Sequence, residues 1–189
     1  MLEAGGIAAA DIDLIELYSC FPIAVDNFAD ALDLPPDRDL TITGSMAFAG
    51  GPYNNYFFQA TARAAQLLRA GAGRTAMLSC VSGILTKQAF ALWSNEPPRN
   101  GFVSRDVTAE VAAAAAEVPV VLDYTGGGRI AGCTVLHARG EQPRAVALID
   151  TDLGARAIAV SNADEVIAGM QSEEWVGRRV QVVAGELAA

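Results

Sequence analysis

The sequence predicts an α/β layered fold followed by a small β-barrel. Three observations lead there. Between residues 12 and 93, stretches of strand character alternate with stretches of helical spacing in the order β-α-β-α-β-β, which indicates helices layered on a sheet. After Glu96-Pro97-Pro98 the pattern changes to closely spaced short strands with Gly, Pro or Asp turns between them, as in small barrels. Of the 189 residues, 52% are apolar and 19% charged, so the chain has material for a core and too few charges to stay disordered.

Each element of the first region has a local cause. Residues 1–6 read as the end of a helix. Ile12–Leu17 alternates apolar and acidic residues, a strand pattern. Pro22 opens a helix at its first turn, where the missing N–H costs nothing, and Ile23, Phe28 and Leu32 share one side before Pro35-Pro36 ends it. Leu40–Thr43 reads as a short strand, followed by a loop of small residues from Gly44 to Pro52. A second helix spans about residues 54–70, with Phe57, Ala60, Ala64, Leu67 and Leu68 on one face, Asn54 as its N-cap and Gly71 and Gly73 as its stop. Thr75–Cys80 is uncharged, as a buried strand is, and Leu85–Trp93 is the next strand, reached through Ser82-Gly83.

The expected domains are residues 1–98, a connector with a short Ala-rich helix at 99–117, and a barrel at 118–189. Barrel strands are expected near Val118–Thr125, Gly132–Arg139, Ala145–Asp150, Ala155–Val160 and Arg178–Val183, with a helix at Ala163–Met170.

Composition also excludes functions. The net charge is −9. Residues 1–97 carry 5 basic and 10 acidic groups, and residues 98–189 carry 8 and 12, so neither half offers the basic face a nucleic acid requires. Three spread cysteines (Cys20, Cys80, Cys133) form neither a disulfide framework nor a zinc pattern. They fit a reducing cytoplasm. With one histidine, His137, a multi-histidine metal site is impossible. There is no basic n-region at the start and no uncharged apolar run long enough for a membrane helix.

Three segments carry a family resemblance: Leu17-Tyr18-Ser19-Cys20-Phe21-Pro22, the long stretch Thr43–Tyr56 (Thr-Gly-Ser-Met-Ala-Phe-Ala-Gly-Gly-Pro-Tyr-Asn-Asn-Tyr), and Leu85-Thr86-Lys87-Gln88-Ala89-Phe90. On these residues, positions 7–98 resemble the C-terminal half of a thiolase. The likeness points to the acetyl-CoA acetyltransferase-like, type 1 branch. Residues 118–185 resemble the extra C-terminal domain of that branch, an OB-like barrel. The resemblance implies a partial thiolase-like layered fold and a coenzyme A thioester as ligand or substrate. It implies no separate cofactor and no metal.

Thiolases complete their site with three loops from this half, known as NEAF, GHP and CxG. They fall here on Tyr18-Ser19-Cys20-Phe21, Gly50-Gly51-Pro52 and Cys80-Val81-Ser82-Gly83. Tyr18 then stands where the family has the Asn of an oxyanion hole, and Gly51 where it has the His that activates the nucleophile. The family's nucleophilic Cys lies in the N-terminal half, which does not align with this chain. Losing one base or one oxyanion donor costs about 10²–10⁴ in rate. The resemblance therefore implies a subunit or domain that binds acyl-CoA or CoA and is not catalytically competent alone. The expected ligand-binding residues are Tyr18, Ser19, Gly44, Ser45, Gly50, Gly51, Asn54, Asn55, Ser82 and Gly83.

Bland readings stand beside these. Cys80 is either a surviving acid/base group or a small buried residue ending a strand. Cys20 reads as packing in an apolar turn. Gly44–Pro52 either approaches a ligand with backbone N–H groups or simply turns tightly. Lys87 and His137 read as solvated strand residues. Glu173-Glu174-Trp175 with Arg178-Arg179 reads as a charged surface turn before the last strand, with an exposed Trp175 acting as an interface anchor the alternative. A non-enzymatic assembly module acting through the barrel is the rival function. In the thiolase half, a strand and most of a helix precede Ile12, and the start here matches only that helix's end. Oligomerisation or a partner chain bearing the thiolase N-terminal half is the expected consequence.

Overall fold

The computed structural model describes residues 1–98 and 101–188. Residues 99 and 100 of the expected connector, and residue 189, lie outside the described residues. The chain divides into two units, Met1–Asp106 and Val107–Ala189, with the division inside the expected connector.

In the first unit a short helix, α1 (Leu2–Gly5), is followed by a 3-10 turn and strand β1 (Leu14–Glu16). Helix α2 (Pro22–Ala31) starts at Pro22 and buries Ala24 and Phe28, four residues apart on one stripe. The short helix α3 (Ser45–Ala49) occupies what the sequence suggests is plain loop. Helix α4 (Tyr56–Arg69) buries Tyr56, Ala60, Ala64 and Leu68. A four-residue repeat keeps these on one row, and the two alanines let the helix come close to the sheet. Strand β2 (Thr75–Ser82) is central. It runs parallel to β1, with Ile15 opposite Met77 and Glu16 opposite Leu78, and antiparallel to β3 (Ile84–Ser94).

The core of this unit follows from β2 being covered on both faces. Met77 packs with Ile12, Ile15, Leu17, Ala24 and Phe28 on the α2 side. Ala76 and Leu78 pack with Ala60, Ala64 and Leu68 on the α4 side. A strand buried on both faces must be apolar throughout, which is why Thr75–Cys80 carries no charge.

Two expectations fail here. Leu40–Thr43 forms no strand. The N–H groups of Ile42 and Thr43 donate to the Glu16 carboxylate instead of to a neighbouring strand. Asn54 does not cap α4: Tyr53–Asn55 is a 3-10 turn, and Asn55 holds the N-cap position without a side-chain capping bond.

The second unit begins with α5 (Thr108–Ala114) and a two-residue strand β4 (Val120–Val121). Strands β5 (Gly126–Leu136), β6 (Arg144–Thr151) and β7 (Arg156–Ser161) then form antiparallel neighbours. Helix α6 (Asp164–Ser172) precedes β8 (Arg179–Val183) and β9 (Glu186–Leu187). The order is β4-β7-β6-β5-β8-β9, and β9 returns to pair with β7. Strands β5 to β9 thereby close into a five-stranded barrel, and β4 lies on the outside edge of β7.

Strand β5 serves two partners because it bends. Its first residues pair with β8, and its register on β6 shifts between Ile130 and Gly132. At Gly128 a side chain is impossible without movement, since a Cβ would lie 2.7 Å from the Asp150 carbonyl oxygen of β6. The barrel interior holds Ile130, Ala145, Ala147, Ile149, Ala157, Ala159, Val182 and Leu187, and α6 adds Val166 and Ile167. Alternate burial along β6 gives the period of two.

The expected strand at Val118–Thr125 shrinks to Val120–Val121, because Asp123 takes a left-handed turn conformation (φ 53°). Trp175 is not exposed. It packs against the barrel core and lies on Gly169 of α6, with Arg178 4.9 Å over its ring. Lys87 and His137 are exposed, as expected. No helix among the described residues is long and apolar enough to cross a membrane.

Candidate functional site

The first unit gathers its candidate residues at the C-terminal ends of β1 and β2. The organiser is Glu16, the last residue of β1, which is 0% exposed. Its Oε2 accepts from the N–H of Ile42 (2.7 Å), the N–H of Thr43 (3.0 Å) and the Thr41 hydroxyl (3.0 Å). Its Oε1 accepts from the Thr43 hydroxyl (2.9 Å) and the Tyr56 hydroxyl. A buried carboxylate is tolerated only when its lone pairs are satisfied, and here donors from two segments far along the chain satisfy them. The result ties β1 to the 41–43 segment and to the start of α4.

The small-residue loop hangs from that anchor. Thr41 Oγ1 accepts from the Ser45 N–H at 2.7 Å. Ser19 Oγ accepts from the Met46 N–H at 3.0 Å, joining the 17–21 segment to α3. Gly44 has φ 85°, and a Cβ there would press on Phe48 at 3.1 Å, so only glycine fits without strain. Ser45 (φ 64°) and Tyr53 (φ 49°) are also left-handed. Such backbone costs about 1–3 kcal/mol per residue unless its surroundings enforce it. At Ser45 the enforcing bonds are the ones just named.

The end of β2 meets the 17–21 segment through Tyr18. Its N–H donates to Ser79 Oγ at 2.7 Å, so the chain continues alongside β2 and brings Tyr18 beside Cys80. The Tyr18 ring stands edge-on to Tyr56, with centroids 5.9 Å apart. Its hydroxyl is pushed above its ordinary pKa chiefly by burial, then by a hydrogen bond with the Cys20 thiol and by the nearby thiols of Cys20 and Cys80. Burial likewise pushes the Cys80 thiol up. Tyr56 is pushed up to about 12 by burial and then by its bond to Glu16, against opposing hydrogen bonds with Ser19 and Thr43.

The candidate residues thus fall into two groups. Tyr18, Ser19, Gly44, Ser45 and Cys80 are half-buried and meet around Glu16 and Tyr56. Gly50, Gly51, Asn54, Asn55, Ser82 and Gly83 are exposed on the surrounding loops. Ser82 ends β2 and Gly83 turns the chain into β3, where the pairing register breaks after Val81, a common way to re-aim residues beside a site. Cys20 is exposed, contrary to its reading as packing. Cys133 belongs to the second unit, in β5.

Glu16, Thr41, Thr43 and Tyr56 were missed as site residues. The one local signal was a carboxylate between Ile15 and Leu17, both of which the fold buries. Among the described residues no group of three or more His, Cys, Asp or Glu side chains could hold a metal ion.

Comparison with protein-family models and with curated protein sequences finds no match. Among solved structures, the chain is similar to a crystal structure of a monomeric SCP2-thiolase-like protein type 1 from Mycobacterium smegmatis. The TM-score is 0.85 at 26% sequence identity, over 99% of this chain and 42% of that one. The chain therefore spans less than half the length of the solved protein it matches, and it has a thiolase-like fold.

Proposed function

We propose that this chain binds coenzyme A or an acyl-CoA thioester at the loop cluster around Glu16 and Tyr56. It would do so as the C-terminal-half portion of a type 1 thiolase-like, acetyl-CoA acetyltransferase-like unit of lipid metabolism, with an OB-like barrel attached. One observation carries the reading. Tyr18-Ser19, Ser45-Met46 and Ser79-Cys80 are tied together by the Ser19–Met46 and Tyr18–Ser79 hydrogen bonds. The first two lie in segments that carry the thiolase resemblance, and Ser79-Cys80 reaches the start of the position where the CxG loop falls. The thiolase-like fold supports it.

The residues in contact with the ligand would be Tyr18, Ser19, Gly44, Ser45, Gly50, Gly51, Asn54, Asn55, Ser82 and Gly83. Backbone N–H groups in a glycine-rich, left-handed loop suit thioester or phosphate oxygens. Chemistry is a separate matter. With Gly51 at the position of the family's His and Tyr18 at that of its Asn, the chain has neither that base nor that amide there. Cys80 is a thiol whose ionisation burial disfavours. The chain is accordingly proposed as a binding domain, without acyl transfer of its own. We place it in the cytoplasm.

Ligand-dependent stability tests this reading. At a ligand concentration 100 times Kd, binding to the folded state adds about 2.7 kcal/mol. Acetyl-CoA and CoA should raise the unfolding temperature of the whole chain, and Gly51→Val should abolish the rise without lowering the unliganded value. No rise with either ligand at millimolar concentration counts against the proposal.

A further inference from the structure

The second unit carries a polar cavity that the coenzyme A reading does not use. It opens to solvent where the turn from β5 to β6 meets the link from β7 to α6. Its volume is about 260 Å³. Pockets for drug-sized ligands run about 300–1,000 Å³, so this one suits a smaller molecule.

Local sequence shapes this corner. Arg139 and Gly140 turn the chain, and the Glu141 N–H closes the turn by donating to the Ala138 carbonyl at 3.2 Å. Pro143 follows, which fixes its own backbone and favours an extended Gln142 before it. The register then sets Arg144 beside Leu136 of β5. Arg144 also lies one step past the Ala145–Ser161 pair of β6 and β7, which brings Asn162 to its other side. His137 follows β5 directly, and its Nε2 is 3.2 Å from the side-chain amide nitrogen of Gln171. That hydrogen bond ties the ring to α6.

Two side chains in the cavity wall are charged, and their charges are opposite. Glu141 and Arg144 stand close in sequence and face the same space, yet they do not pair with each other. Among the described residues neither has another ion-pair or side-chain hydrogen-bond partner. Arg156, Arg178 and Arg179 of the same unit each hold a carboxylate, Asp150, Glu173 and Asp152 respectively. The cavity therefore presents one guanidinium and one carboxylate whose partners are left to a ligand.

That pair selects the ligand's chemistry. A simple anion at Arg144 meets repulsion from Glu141, and a simple cation at Glu141 meets repulsion from Arg144. A neutral molecule leaves both charges unmatched. A small zwitterion answers both: its carboxylate fits the planar fork of the guanidinium, and its ammonium fits the carboxylate. The Gln142 and Asn162 amides offer donors and acceptors to a polar remainder.

We infer that this cavity binds a free α-amino acid with a short polar side chain. Arg144 takes its carboxylate, Glu141 its ammonium, and the two amides its side chain. The site lies wholly within the second unit and does not rest on the coenzyme A reading.

Proton NMR of the whole chain tests it, because His137 is the only histidine and lines the cavity. Its Cε1–H gives one line. At fixed pH, L-asparagine should move that line saturably, with a Kd below about 1 mM. N-acetyl-L-asparagine lacks the ammonium, and L-asparagine methyl ester lacks the carboxylate. Each should bind about tenfold more weakly or less. Arg144→Gln and Glu141→Gln should each weaken L-asparagine by a similar factor while the unfolding temperature stays unchanged. Three results would each overturn the inference: no movement of the line at about ten times that concentration, equal binding of the acetylated or esterified form, or unchanged binding in either variant. Failure of coenzyme A to bind alters none of these outcomes.

Discussion

The Tyr56 hydroxyl donates to the Glu16 carboxylate across 40 residues of sequence, and neither side chain reaches solvent appreciably. Every group around that carboxylate is a donor, and two of them are backbone N–H groups that can be nothing else. The segment from Thr41 to Thr43 is therefore held by one buried carboxylate, and Thr41 and Ser19 hold the next residues through the Ser45 and Met46 N–H groups.

Substitutions at Glu16 follow from this donor arrangement. In Glu16→Gln the amide oxygen can take the place of Oε2 and keep the two N–H bonds. Its NH₂ then faces hydroxyls of Thr43 and Tyr56, which can rotate to accept. A loss of about 1 kcal/mol is expected. Glu16→Ala strands several buried donors and should cost about 3 kcal/mol or more. Urea unfolding of the two variants checks the order.

Alkaline pH should destabilise the first unit through Tyr56. Its folded-state pKa, about 12, lies above the ordinary value of 10.0. The folded state holds the proton more tightly, so the stabilisation is complete below pH 10 and is lost as pH rises toward 12. The two-unit difference corresponds to about 2–3 kcal/mol. In Tyr56→Phe this part of the decline is absent, although the variant is less stable at neutral pH. Stability measured by denaturant unfolding at pH 8 to 11.5 shows whether the two curves converge.

Ser19→Ala removes the acceptor for the Met46 N–H. The expected cost is about 1 kcal/mol, and the effect should be local. Hydrogen exchange at Met46 and its neighbours in α3 should accelerate, while exchange in β2 stays as it was.

The three thiols should react in a defined order. Cys20 is exposed, whereas Cys80 and Cys133 are half-buried and both are pushed up by desolvation. Alkylation at pH 8 followed by peptide mapping should label Cys20 first, with Cys80 and Cys133 slower by about tenfold. Equal labelling of all three would contradict the burial described for β2 and β5.

Gly128→Ala should loosen the barrel. The added methyl group would sit 2.5 Å from Ile149 and 2.7 Å from the Asp150 carbonyl oxygen. Backbone cannot yield as a flexible side chain can, so a cost of about 1–3 kcal/mol is expected. The change should appear in the unfolding of the second unit.

The elements whose cause is local were legible in the sequence. Pro22 marks the start of α2, the spacing of Ala60, Ala64 and Leu68 marks α4, and the uncharged run from Thr75 marks β2. Leu40–Thr43 was misread because its apolar and β-branched residues suit a strand, while its N–H groups have a better acceptor in Glu16. No pattern within four residues reveals a partner 26 or 27 positions away. Helix α3 escaped for a similar reason: its backbone is steadied by Thr41 and Ser19 and not by its own propensity. The barrel was legible as a set of short strands. Its closure through the two residues of β9 was not, because so short a strand leaves no period to read. For the candidate site, the three loops were found by resemblance, and the buried carboxylate that organises them came only from the fold.

Binding of a coenzyme A thioester by these loops is open to direct measurement. Isothermal titration of the whole chain with acetyl-CoA, alongside Gly51→Val and Ser19→Ala, tests it most directly. Saturable binding by the parent chain is expected, weakened at least tenfold in both variants while each remains folded. No heat at millimolar acetyl-CoA, or equal binding by all three proteins, would contradict it.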